Sequence, residues 1–262
     1  MNDADPLSDS PYAAGLSVRN ARLGWDGAGL LSGLSFDAPD RAWTCLLGES
    51  GVGKSTLLRT LAGLIEPLDG VDIRANGTTN TSNNVAYMAQ QDLLLPWLTA
   101  ADNVALGARL RGETPDSARI SDILDRTGMT GRANARPREL SGGERQRIAL
   151  ARTLMENCPI VLMDEPFSAL DAITRAQLQQ LAFELLGERT VVMVTHDPFE
   201  ALRLGWHIHV VRKGDNSGAV PFTPPGTPLR DPTDPVLRDS YHAIMAALDT
   251  PKTCENRGNT AA

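Results

Sequence analysis

Trp43-Thr44-Cys45-Leu46-Leu47, then Gly48-Glu49-Ser50-Gly51-Val52-Gly53-Lys54-Ser55, then the run STLLRTLAGL give an apolar strand, a glycine-rich turn and a helix in that order. The turn fits the spacing G-x-x-x-x-G-K-[ST] in the strand-to-helix context that this spacing requires. Its glycines let the backbone curl until N–H groups face one point, and the helix that follows adds the positive end of its dipole. Such a point attracts phosphate. Lys54 supplies a cation for the phosphate oxygens, and the hydroxyl of Ser55 suits the shell of a magnesium ion. A match by chance somewhere in a chain of this length has odds of about one in a hundred. Glu49 adds negative charge at a phosphate site, so its side chain is expected to point outward.

Working outward, short apolar runs alternate with helical patterns. Strands are expected at Leu16–Leu23, Trp43–Leu47, Val85–Met88, Ile160–Met163, Val191–Val194 and His207–Val211. The alternation predicts an α/β fold with a mostly parallel sheet and helices on its faces. The runs IVLM and VVMV are continuously apolar, as strands buried on both faces should be. From about Thr99 to Met155 the pattern is helical without strands, which reads as a helical insertion between two parts of the sheet. After Val211 comes a Gly/Pro-rich stretch and then an amphipathic segment, Val236–Leu248.

Two acids, Asp164 and Glu165, follow the buried run Ile160–Met163, at the kind of strand end where ligands of open α/β sheets collect. Asp164 suits magnesium, and Glu165 suits orienting or deprotonating a water. A solvated acidic turn is the plain alternative for one carboxylate, less so for two beside a phosphate loop. His196 ends the second buried run, Val191–Val194 and Thr195. A single histidine at a strand end is informative only in such company.

The composition narrows the class. The 262 residues are 42% hydrophobic, enough for a sizeable core, and 25 basic against 32 acidic residues leave a net charge of −7. A strongly basic nucleic-acid-binding surface is therefore not expected. Cys45, Cys158 and Cys254 are scattered without metal-ligand spacing, which fits a reduced, cytosolic chain. No apolar run nears the roughly 20 residues that a membrane-crossing helix needs. The start, MNDADPLSDSPY, carries no apolar signal segment. Residues 1–14 are expected to be flexible, and 216–262 to form a short C-terminal extension with one helix and a loose tail.

The stretch Leu140-Ser141-Gly142-Gly143-Glu144-Arg145-Gln146-Arg147 resembles the signature motif of ATP-binding cassette (ABC) ATPases, usually LSGGQ. With the phosphate loop, the acidic pair and His196 in order, the chain resembles a nucleotide-binding subunit of an ABC transporter from about Leu16 to Arg212. The resemblance implies a P-loop NTPase cassette over 15–215, with a mostly parallel sheet, an antiparallel β portion and a helical subdomain at about 91–157. It implies ATP and Mg2+ as ligands. Nucleotide contacts fall on Gly48, Glu49, Ser50, Gly51, Val52, Gly53, Lys54, Ser55 and Thr56, and on Gln90, Ser141, Gly142, Gly143 and Asp171. Metal contacts fall on Ser55, Gln90 and Asp164, and chemistry on Glu165, His196 and Lys54. Ser168-Ala169-Leu170-Asp171 matches the family's D-loop. Taken alone, S-G-G is a helix cap, Gln90 a loop amide and S-A-L-D another cap. Trp25 stands where the family places an aromatic that stacks on adenine, and a core tryptophan is the competing reading.

The resemblance also implies partners and place. Two chains would pack head to tail around two ATP molecules, on the cytoplasmic face of the inner membrane, with an integral-membrane permease and an extracytoplasmic solute-binding protein. No nucleic acid is expected as a partner. Gln91-Asp92-Leu93-Leu94-Leu95-Pro96-Trp97-Leu98 is apolar for a loop, so part should pack in the helical insertion and part should help form a groove for a permease helix. The stretches WTCLLGESGVGKSTLLR and VAYMAQQDLLLPWLTAADNVALG resemble the branch that takes up thiamine precursors, which makes a hydroxymethylpyrimidine the expected cargo. The alternative, from the LLPW run, is nitrate, sulfonate or taurine import. A soluble ABC ATPase acting on nucleic acid and a P-loop kinase or GTPase are the rivals. The second of these leaves the signature, Gln90 and His196 as coincidences.

Overall fold

The structure, a computed structural model, describes residues 14–25, 28–66, 72–75, 77–79, 84–212, 219–231 and 233–249. Nearly all of the segment expected to be flexible at the start, and the loose tail from 250 on, lie outside the described residues.

Six strands form one sheet in the order β5 (Val85–Met88), β6 (Ile160–Asp164), β7 (Thr190–Thr195), β3 (Trp43–Leu47), β8 (His207–Val210), β9 (Val220–Phe222). All neighbours are parallel except β8 and β9. Strands β3, β6 and β7 are buried along their whole length, which is why they read as unbroken apolar runs. The pleat divides them between two cores. Cys45, Leu47, Val161, Met163, Val191 and Met193 face one layer, while Leu46, Ile160, Leu162, Val192 and Val194 face the other. The second layer is filled by Leu57, Leu58 and Leu61 of α1 (Lys54–Leu61) and by a separate antiparallel sheet. That sheet has the order β2 (Ala28–Pro39), β1 (Ala14–Trp25), β4 (Asp72–Ala75).

Sequence reading did not find β2, β4 and β9. The run AGLLSGLSFDAP is broken by glycines and serines, DIRA is short and polar, and VPF carries a proline that only an edge strand accepts. Strand β1 is longer than expected, and its pairing with β2 shifts register on either side of Ala21.

Between β5 and β6 run α2 (Ala100–Val104), α3 (Leu106–Leu110), α4 (Ser117–Arg126) and α5 (Gly142–Met155), the helices of the expected insertion. Thr99 and Asp116 cap α2 and α4 through their side chains. The sheet then continues through α6 (Ala172–Leu186) and α7 (Pro198–Leu204). The amphipathic C-terminal segment forms α8 (Arg238–Asp249), whose Ile244 is fully buried against the main core. Arg230, in the preceding Pro-rich loop, fixes that loop to α7 by donating to the carbonyls of Leu202 at 3.0 Å and Gly205 at 2.8 Å.

Candidate active site

Strands β6, β7 and β3 are neighbours, so their carboxyl ends deliver the acidic pair, His196 and the phosphate loop to one edge of the sheet. The loop's turn requires glycine: Gly51 and Gly53 have φ of 79° and 104°, a region that L side chains avoid, and Gly53 opens α1. Lys54 is 4% exposed. Its ammonium donates to the carbonyls of Gly48 at 2.7 Å and Glu49 at 2.8 Å. Burial pushes its pKa below the ordinary lysine value, while Glu165, Asp164 and Glu49 pull it back up. The side chain of Glu49 is exposed, as its charge demands.

Asp164 is 1% exposed and both its oxygens are engaged. Ser55 donates to Oδ1 at 2.8 Å, and the phenol of Tyr87 donates to Oδ2 at 3.1 Å. Glu165 sits at φ 44°, with its amide N–H bonded to Val194 at 3.0 Å. This left-handed kink turns its carboxylate toward the neighbouring strand end, where Oε2 lies 2.9 Å from Nδ1 of His196. The amide of Gln90 reaches the same oxygen at 3.4 Å and Ser168 Oγ at 3.5 Å. Lys54, Ser55, Asp164, Glu165, Gln90 and His196 therefore form one group at the sheet edge. The Ser55 hydroxyl and the Asp164 carboxylate, in contact with each other, are hard oxygen donors, which fits Mg2+, an ion that takes few protein ligands and completes its shell with water and phosphate.

Ser141, Gly142 and Gly143 lie apart from that group, at the start of α5. Ser141 Oγ accepts from the Glu144 amide at 3.2 Å, and Glu144 accepts from the Ser141 amide at 2.8 Å, a reciprocal capping box. The Ser141 backbone bond, first among several, holds the Glu144 carboxyl below the usual range. Ser141 and Gly142 are exposed, and among the described residues no hydrogen bond joins this helix start to the phosphate loop. Asp171 caps α6 by accepting from the amides of Ile173 at 3.2 Å and Thr174 at 3.1 Å. Trp25 ends β1 and pairs with Ala28, and its side chain lies outside what is described.

Sequence reading missed Tyr87, whose importance appears only when β5 is seen to lie beside β6. It also missed the ties between α5 and the loop after Gln90. Gln146 donates to the Gln90 carbonyl at 3.2 Å, Arg145 pairs with Asp92 at 3.0 Å, and Arg152 donates to the Asp92 carbonyl at 2.7 Å. In that loop Leu94 is buried in the core whereas Leu93 and Trp97 are exposed, so the apolar run divides between packing and surface. Among the described residues a cleft of about 580 Å³ lies away from the phosphate loop. It opens between α2 and α4 and is lined by apolar side chains such as Ala101, Ala105, Ile120 and Leu124 and by polar ones such as Asp102 and Ser121.

A family model described as ABC transporter matches residues 31–168. An "Uncharacterized ABC transporter ATP-binding protein" of Haemophilus influenzae is 44% identical over 199 residues, covering 74% of this chain and 81% of that protein. The "Aliphatic sulfonates import ATP-binding protein SsuB 2" of Rhodococcus jostii is 41% identical over 203 residues, 77% of this chain and 80% of its own length. The protein named "Aliphatic sulfonates import ATP-binding protein SsuB 1" in Paracoccus denitrificans is 38% identical over 239 residues, 89% of this chain and 93% of its own length.

Proposed function

Since this chain belongs to the ABC transporter family of ATP-binding subunits, we propose that it hydrolyses ATP at the Lys54–Asp164–Glu165–His196 group to power import of an aliphatic sulfonate. The observation that carries the catalytic part is the 2.9 Å contact between Glu165 and His196 at the strand edge that also bears the phosphate loop. Cargo does not touch this kind of subunit, so the cargo class rests on similarity alone. Relatives named for sulfonate import support the alternative drawn from the LLPW run over the thiamine-precursor reading.

In this reading the N–H groups of Gly51 to Ser55 and the ammonium of Lys54 bind the β- and γ-phosphates of ATP. Ser55, Asp164 and Gln90 would hold Mg2+, which would neutralise charge on those phosphates. Glu165 accepts a proton from the attacking water, and His196 fixes the carboxylate through Nδ1 and offers its other ring nitrogen to the γ-phosphate. Gly142 and Gly143 present helix N–H groups, and Ser141 its hydroxyl, to the ATP of a second copy, closing a head-to-tail homodimer. ATP thereby favours the closed pair, and loss of the γ-phosphate releases it.

No helix among the described residues is long and apolar enough to cross a membrane. In this reading the chain sits on the cytoplasmic face of the inner membrane, against a permease that works with a solute-binding protein. Exposed Leu93, Trp97 and Leu110, together with the cleft between α2 and α4, offer the apolar surface for that contact.

The test is Glu165→Gln in the full chain. It should retain ATP binding, form an ATP-dependent dimer on gel filtration and release no phosphate; unaltered turnover would reject the assignment. For cargo, the complex with permease and binding protein should be stimulated by alkanesulfonates. Stimulation by hydroxymethylpyrimidine instead would reinstate the other reading.

A further inference from the structure

Glu200, in the first turn of α7, is 6% exposed. Carboxylates are seldom so deeply placed without partners, and an apolar side chain of similar size would pack there at lower cost. Both oxygens are engaged. Oε2 accepts from the hydroxyl of Thr195 at 2.7 Å, and Oε1 accepts from the side-chain amide of Gln179 at 3.1 Å.

Each partner lies on an element that adjoins His196 or Asp171. Thr195 is the last residue of β7, directly before His196, and its Oγ1 also accepts from the Asp197 amide at 3.0 Å, closing the turn that bears the histidine. Gln179, itself 3% exposed, lies on α6, the helix capped by Asp171. One turn earlier on the same face of α6 is Arg175, which donates to the Leu170 carbonyl at 2.9 Å and stands 3.7 Å from the Asp197 carboxylate. Two rungs therefore cross from α6 to the segment around His196. From the other side Phe199 stacks on Tyr241 of α8, with ring centres 4.9 Å apart and planes 18° from parallel.

We propose that Glu200 is a positioning residue for His196: its buried carboxylate clasps the end of β7 to α6, so that the histidine and the segment leading into Asp171 shift as one body. Glu200 acts through Thr195 and touches no reacting atom. This inference rests on the reading that Glu165 and His196 carry out hydrolysis.

Steady-state ATP hydrolysis by the full chain tests it. Glu200→Ala lowers kcat at least tenfold while KM for ATP stays within twofold, because among the described residues Glu200 bonds to Thr195 and Gln179 and not to the phosphate loop. Glu200→Gln restores most of kcat, since its carbonyl still accepts from Thr195 and the Gln179 amide can turn to meet the new NH2 group. Thr195→Val removes one rung at nearly constant volume, lowers kcat at constant KM, and serves if the alanine variant does not fold. The ring resonances of His196, followed by NMR, move in the Ala and Val variants and return in the Gln variant. Wild-type kcat with unmoved His196 signals in the Ala or Val variant overturns the proposal, as does a joint fall of kcat and substrate affinity that Gln fails to restore. Glu165→Gln runs in parallel. If it still turns over, the catalytic reading fails; if it is silent while Glu200→Ala works normally, only the positioning role fails.

Discussion

The hydroxyl of Ser55 donates to Oδ1 of Asp164 at 2.8 Å, joining the first turn of α1 to the end of β6 across 109 positions of sequence. Tyr87 holds the other oxygen at 3.1 Å, so the carboxylate is oriented from two sides. A hydrogen bond to a charged group contributes about 1.5–3 kcal/mol. Tyr87→Phe is therefore expected to raise the Mg2+ concentration needed for half-maximal turnover by roughly tenfold, with ATP binding in EDTA unaltered. Asp164→Asn should lower turnover by about a hundredfold or more. An unchanged magnesium titration in Tyr87→Phe would show that the phenol does not orient the acid.

Lys54 is buried against the loop it serves, bonded to two of that loop's carbonyls. Phosphate oxygens are stronger partners for an ammonium than carbonyls are, so its contribution is realised on binding. Lys54→Ala should weaken ATP affinity by at least about tenfold, measured with a fluorescent nucleotide. This separates it from Glu165→Gln, for which binding persists and chemistry is lost.

The sequence was most readable where function is written in consecutive residues. The phosphate loop, the pair Asp164-Glu165 and His196 each follow a buried strand, and continuous apolarity marks those strands without ambiguity. That they share one edge depends on the order β6-β7-β3, which no local pattern states. Tyr87, Gln179 and Glu200 were invisible for the same reason: each is an ordinary residue whose role comes from what the fold sets beside it. Strands β2 and β9 were missed on different grounds, since glycine and proline remove the alternation that identifies a strand.

The glycines of the signature stretch are not equivalent. A Cβ on Gly143 would stand 2.5 Å from Cγ2 of Thr174 on α6, closer than real contacts allow, whereas one on Gly142 meets nothing nearer than Arg145 at 3.9 Å. Gly143→Ala should force α5 and α6 apart and lower stability by about 1–3 kcal/mol, visible in urea unfolding. Thr174→Ser in the same chain removes the offending methyl and should recover most of the loss. Gly142→Ala should leave the unfolding curve in place and slow only the ATP-dependent pairing. Equal destabilisation at both positions would contradict the packing described.

His209 supplies a prediction about acid stability. On β8, Ile208 and Val210 face the main core, while the ring of His209 turns the other way and lies 5.6 Å from that of Phe36 at 53°. Burial pushes its pKa down to about 4, and burial lowers that of His207 as well. Above the ordinary histidine value near 6.5, the ring is neutral in both the folded and the unfolded chain, so it adds no pH dependence. As pH falls below that value the unfolded chain binds a proton that the folded chain refuses, and stability drops until the folded value near 4 is passed. The loss over this window is up to about 3 kcal/mol. His209→Phe keeps an aromatic ring against Phe36 and removes the titration. Urea unfolding at pH 7, 6 and 5 should therefore show a shallower decline in the variant, with the two proteins diverging most at the acid end; parallel declines would mean that another group governs acid unfolding.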